Sequence, residues 1–184
     1  DIEVVASDPS NPVVGEVWYN TTTQKLKGYR QVMGNAWSTG GNLNTARSAL
    51  GSTGTQTATL GFGGYDGTAY TGVTESYNGS SWTEVADLNT VRRYLGSSGT
   101  QTSALGFGGG PGNSALTESW NGSSWTEVAD LNTGRELGSG NNGANNTSAL
   151  AIGGGPTITA ANESWNGSAW TEVADLNTAR KQSA

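Results

Sequence analysis

The stretch Glu118-Ser-Trp-Asn-Gly-Ser-Ser-Trp-Thr-Glu-Val-Ala-Asp-Leu-Asn-Thr133 is written nearly three times in this chain. Glu75 to Thr90 and Glu163 to Thr178 copy it with few changes. Its second tryptophan sets a period: Trp37, Trp82, Trp125 and Trp170 lie 45, 43 and 45 residues apart. Self-similarity at such a period marks a repeat architecture, in which each unit buries its apolar face against the next. Positions that recur in every copy are expected to be architecture. Positions that differ between copies are where a specific function can sit.

One period parses into four short strands. Arg47 to Gly54 is rich in small residues, and Thr57 to Gly64 alternates small with apolar and ends in a double glycine. Gly72 to Tyr77 follows and closes on Asn78-Gly79, a strong hairpin-turn dipeptide. Trp82 to Leu88 is the fourth strand. Strict alternation puts Trp82, Glu84, Ala86 and Leu88 on one face and Thr83, Val85 and Asp87 on the other. Four antiparallel strands per period of about 45 residues describe one blade of a β-propeller. The expectation is an all-β propeller of about four blades. Residues 46–90, 91–133 and 134–178 are blades, 14–45 a partial blade with a hairpin, and 1–13 an N-terminal extension. Residues 179–184 begin an inner strand, so strands from both ends would close one blade. Small residues in the inner strands agree with few blades and a crowded axis, and the same phase reads equally as part of a longer array of repeats.

Composition removes several function classes. With no Cys and no His among 184 residues, there is no disulfide, no thiolate metal site and no imidazole base or ligand. The net charge of −6 comes without a basic cluster, which disfavours nucleic acid and anionic membrane surfaces. Apolar runs are only a few residues long, too short to insert in a bilayer. Seven Trp and six Tyr, many in register, separate the chain from a disordered one of similar polarity.

The landmarks resemble kelch repeats. An Arg precedes each inner strand (Arg47, Arg92, Arg135, Arg180), and a double Gly ends the second (Gly63-Gly64, Gly108-Gly109, Gly153-Gly154). A Glu and an aromatic mark the third strand (Glu75 and Tyr77, Glu118 and Trp120, Glu163 and Trp165), and the period Trp opens the fourth. The match spans residues 36–180, and its residues before the double Gly are less bulky than is usual for kelch. A second resemblance covers Asn11-Pro-Val-Val-Gly-Glu-Val-Trp-Tyr-Asn-Thr-Thr-Thr-Gln-Lys-Leu-Lys-Gly-Tyr29. It looks like a hairpin of tailed-phage fibre and virion appendage proteins, which in marine phages precedes kelch-like repeats. The two resemblances imply a virion location, with other virion proteins or a host-surface glycan as partners and homo-oligomers possible.

The repeated side chains read as structure. The period Trp residues are expected to pack between blades, and the replacement of Tyr77 by Trp120 and Trp165 suits a partly buried platform. Each repeated Arg is expected to satisfy carbonyls and the Glu of its own repeat. Glu84 and Asp87, three apart on a strand, point to opposite faces and do not converge as a hydrolase pair. The glycine-rich loops lack the Lys-Ser/Thr and the helix of a phosphate site. No catalytic residue, cofactor or metal is expected. The variable connections after the double Gly supply the candidate ligand residues: Tyr65, Asp66 and Tyr70 in the first, Asn113 in the second and Thr157 in the third. Two aromatic faces and a carboxylate suit a glycan. The expected function is a non-enzymatic structural or adhesion module of a phage tail fibre or capsid decoration. The alternative is a purely structural or protein-interaction propeller without a small ligand.

Overall fold

The computed structural model describes residues 2–13, 15–29, 39–137 and 145–181. Within them the chain forms 14 strands and no helix. It divides into a small unit, residues 1–39, and a larger one, residues 40–184.

The small unit is a three-stranded sheet of β1 (Glu3–Val5), β2 (Val17–Asn20) and β3 (Lys25–Gly28). β2 and β3 form the expected hairpin across the polar turn. β1, in the stretch read as an extension, pairs with β2 in parallel. Asp8 ties the sheet together. Its carboxylate accepts from Trp18 Nε1 (3.0 Å), Asn20 Nδ2 (2.7 Å) and Lys27 Nζ (2.6 Å). The Lys27 hydrogen bond, with those of Trp18 and Asn20, holds the Asp8 carboxyl down at about 2. The third strand expected here, around Trp37, lies outside the described residues.

The larger unit holds three repeat sheets. The first runs in chain order through β4 (Gly51–Thr55), β5 (Ala58–Phe62), β6 (Thr74–Tyr77) and β7 (Trp82–Val85), all antiparallel. The second repeats it with β8 (Gly96–Thr100), β9 (Ser103–Phe107), β10 (Thr117–Trp120) and β11 (Trp125–Val128). The third contains β12 (Ala149–Ile152), β13 (Asn162–Trp165) and β14 (Trp170–Val173). Residues 138–144, where its first strand and most of the third-repeat insertion would fall, lie outside the described residues.

The sheets pack face to face through the period Trp. Trp125, from the second sheet, lies 4.8 Å from Phe62 of the first, and its Nε1 donates to Thr74 Oγ1. Trp170 repeats this on the second sheet, with Phe107 at 4.8 Å and Thr117 Oγ1 as acceptor. Two apolar clusters result, one between each pair of consecutive sheets. Trp120 and Trp165 stand beside these Trp residues and are fully buried. They are core rather than a partly buried platform, because each faces the preceding sheet and donates its N–H to a carbonyl, Gln101 O or Asn146 O.

Two local features differ from simple alternation. The fourth strand ends at Val85, and Leu88 is buried in the same cluster that Val85 packs against, on the opposite side from Trp82. The chain leaves the strand after Val85 and turns, while the Asp87 carboxylate accepts the Thr74 N–H at 2.9 Å. Strand periodicity stops where that turn begins.

The double glycine is where the following repeat attaches. Gly64 N donates to Arg92 O, Gly109 N to Arg135 O and Gly154 N to Arg180 O. Gly63 has φ +66°, and a Cβ there would sit 2.6 Å from Arg92 O. Only glycine satisfies both the backbone conformation and the close approach. The inner strands are stitched across sheets by small side chains: Ser97 Oγ donates to Ser52 O, and Thr53 Oγ1 to Gly99 O.

Candidate functional site

Three of the four repeated Arg landmarks, with the Glu of their repeats, are used up inside the framework. In the second repeat, Arg92 donates to Glu118 Oε1 (2.8 Å), Gly108 O (2.9 Å) and Leu116 O (2.6 Å). The same carboxylate accepts the backbone N–H of Asn89 and Thr90, and Asn89 Nδ2 also reaches Trp125 O. Arg47 with Glu75 and Arg135 with Glu163 repeat the arrangement, with Asn44 and Asn132 in the place of Asn89. All three ion pairs have almost no side-chain exposure. Burial lowers the Arg47 and Arg92 guanidinium pKa, against the pull of the partner carboxylates. Burial pushes the Glu163 carboxyl up, yet its hydrogen bonds from Asn132 and Arg135 outweigh that and hold it below the ordinary value. Pairs this buried, with every carboxylate and the terminal guanidinium nitrogens engaged, are structural, as the sequence indicates.

The other recurring carboxylates do not converge either. Glu84, Glu127 and Glu172 are exposed, while Asp87 and Asp130 each accept one strand N–H. Among the described residues no group of acidic side chains is placed to hold a metal ion. No described helix is long and apolar enough to cross a membrane.

The variable connections yield one cluster with unused chemistry. Tyr65 and Tyr70 close the first loop through a backbone bridge, with ring centroids 5.9 Å apart. Tyr65 is pinned through its hydroxyl, which donates to Gly67 O at 3.0 Å. Asp66 is turned into its own loop, accepting N–H bonds from Thr68 (2.7 Å) and Ala69 (2.8 Å). Those bonds lower its pKa and occupy the carboxylate as a turn-former. Arg93, from the second repeat, reaches over both rings, with Cζ 5.6 Å from the Tyr65 centroid and 4.8 Å from that of Tyr70. Its third aromatic neighbour is Tyr94, at 4.8 Å.

Asn113 and Thr157 are exposed on their own turns, and no described hydrogen bond, ion pair or ring contact joins them to this cluster. Arg93 and Tyr94 are the residues that sequence reasoning missed. The signal was available: the position after the repeated Arg reads Ser48, Arg93, Glu136 and Lys181. A position that breaks the repeat this sharply is not framework. A cleft lined by Tyr94, Glu136, Leu137, Pro156 and Lys181 continues from Tyr94 toward the third repeat.

No protein-family model matches the chain, and no curated protein matches it in sequence.

Proposed function

We propose that this chain is a non-catalytic adhesion module, a kelch-like propeller of a phage tail fibre or capsid decoration that contacts a host-surface glycan. One observation carries the reading. The framework consumes every repeated Arg–Glu pair in buried bonds, and the chain then gathers non-repeated aromatic side chains, Tyr65 and Tyr70 on a variable connection and Tyr94 just after the repeated Arg92. Aromatic faces held on a rigid scaffold suit stacking against sugar rings, whose C–H surfaces are apolar. The virion assignment rests on the two sequence resemblances alone. A glycan array with the purified chain tests the contact. Selective binding that is lost in Tyr65→Ala and Tyr70→Ala supports it, and uniform absence of binding rejects it.

The proposed architecture is a closed ring of four blades, one completed by strands from both ends. Its support is a partly exposed joint face. Leu150 and Ile152, at the positions of the fully buried Leu105 and Phe107, are 39% and 37% exposed. Asn162 stands where Thr74 and Thr117 accept an indole N–H, and its Oδ1 is buried without a partner. This face has the chemistry to receive one more blade. The same observation favours the second reading, a structural module whose apolar face docks another protein.

A further inference from the structure

Within the glycan-contact reading, we infer that Arg93 is the specificity-determining residue and that the ligand is an acidic saccharide, one bearing a carboxylate or sulfate ester. The argument is a contrast between arginines of the same chain. Arg47, Arg92 and Arg135 each pair with a buried Glu and donate to carbonyls. Arg93 makes no side-chain hydrogen bond and no ion pair with any described residue. The contrast lies at the terminal nitrogens, since the Nε is buried and unpartnered in Arg93 and equally in Arg47, Arg92 and Arg135. A guanidinium placed for structure alone would have found acceptors for its terminal nitrogens, as those three did.

The three tyrosines hold Arg93 without satisfying it. A cation over aromatic faces is attracted by the ring quadrupoles. That contact leaves the planar N–H edge free, and this edge fits a two-oxygen anion bidentately. The carboxylate in the same loop does not compete. Asp66 is committed to the Thr68 and Ala69 N–H groups. Glu136, the next acidic group along this rim, lines the adjoining cleft together with Lys181. The arrangement therefore offers one directed positive charge flanked by aromatic faces, on a chain whose net charge is −6. That background repels anions at long range, so selectivity has to come from the Arg93 contact itself. A neutral sugar would use the tyrosines and leave the fork empty. An acidic one uses both.

The test uses the full chain against matched oligosaccharides: a uronate or sulfated series, its neutral analogues, and the uronate series with carboxylates reduced to alcohols. Wild type is expected to prefer the acidic series. Arg93→Gln should weaken acidic binding about 10- to 100-fold, the range for losing a charge-assisted pair, and so remove the preference for the acidic series over the neutral one. Carboxyl reduction of the ligand should cost wild type a similar factor, and this arm needs no variant to fold. If acidic ligands bind Arg93→Gln as well as wild type, or wild type prefers the neutral series, the inference is overturned. Loss in Tyr65→Ala would still uphold glycan contact in that case. If wild type binds no saccharide of any series, the glycan reading itself fails and takes the inference with it.

Discussion

The Arg92 side chain donates to the Glu118 carboxylate and two carbonyls, while the side chain of Arg93, one residue on, donates to none of the described groups. Alternation along an extended chain sends one side chain into the framework and the next to the rim. The same distinction governs what acid should do. Glu163 is held by Arg135 Nη1 at 2.6 Å and by the Asn132 N–H at 2.7 Å, with almost no exposure. Its folded pKa lies below its ordinary value of 4.5. A depressed carboxylate contributes stability that is fully present above the unfolded pKa and is lost as pH falls through the folded one. Urea unfolding across pH 7 to 3 should therefore show stability falling below about pH 4.5 as Glu163 takes up a proton on unfolding. Glu163→Gln should already lack this contribution. At pH 7 it strands the buried Arg135 charge and should cost about 3 kcal/mol, the lower end for breaking a buried pair. Its stability should also depend less on pH than that of wild type. Equal slopes in variant and wild type would mean that Glu163 is not a buried, ionised anchor.

The strands were legible because their signals are local. Asn-Gly turns, double glycines and small–apolar alternation place β4 to β7 within a few residues of their sequence-derived positions, and β8 to β11 repeat the pattern. Leu88 was misread because the end of β7 depends on the Asp87 carboxylate reaching Thr74, a contact between residues 13 apart that alternation does not encode. The rim cluster was half legible. Tyr65 and Tyr70 share a loop, but Arg93 comes from the following repeat and joins them only once the sheets are stacked. Stacking also makes chemically identical elements unequal. Trp125 is 6% exposed against the first sheet, whereas Trp82, its counterpart one repeat earlier, is only partly buried and donates to Gly41 O. Trp125→Ala should cost about 3–5 kcal/mol, as for large aromatic truncations in cores. Trp82→Ala should cost less, about 1–2 kcal/mol, because less area leaves contact. Denaturant midpoints of the two variants decide this. Equal losses would mean that Trp82 is covered as completely as Trp125.

At the scale of the whole molecule, among the described residues, the joint between consecutive sheets appears twice with all parts filled and once with its receiving half partly exposed. The filled joints place an indole on Phe62 or Phe107 and an indole N–H on a threonine. This third receiving half presents Leu150, Ile152 and Val173 at 37–42% exposure, with the Asn162 acceptor beside them. Arg180 is docked on Gly154 as Arg92 is docked on Gly64, yet its guanidinium meets no carboxylate among the described residues. Closure of a four-blade ring within one chain would cover this face. Native mass spectrometry should then show a monomer. Ile152→Asp should lower stability without changing mass, because burying a carboxylate among apolar side chains is costly whatever supplies the cover. If a second copy covers the face instead, wild type should be an oligomer, and Ile152→Asp should dissociate it. A contact of this kind joins unlike faces and continues until a ring closes. If the face is free, the substitution should leave mass unchanged and stability within about 0.5 kcal/mol of wild type. A monomer with that insensitivity would remove the closed ring and leave the face available to a different protein.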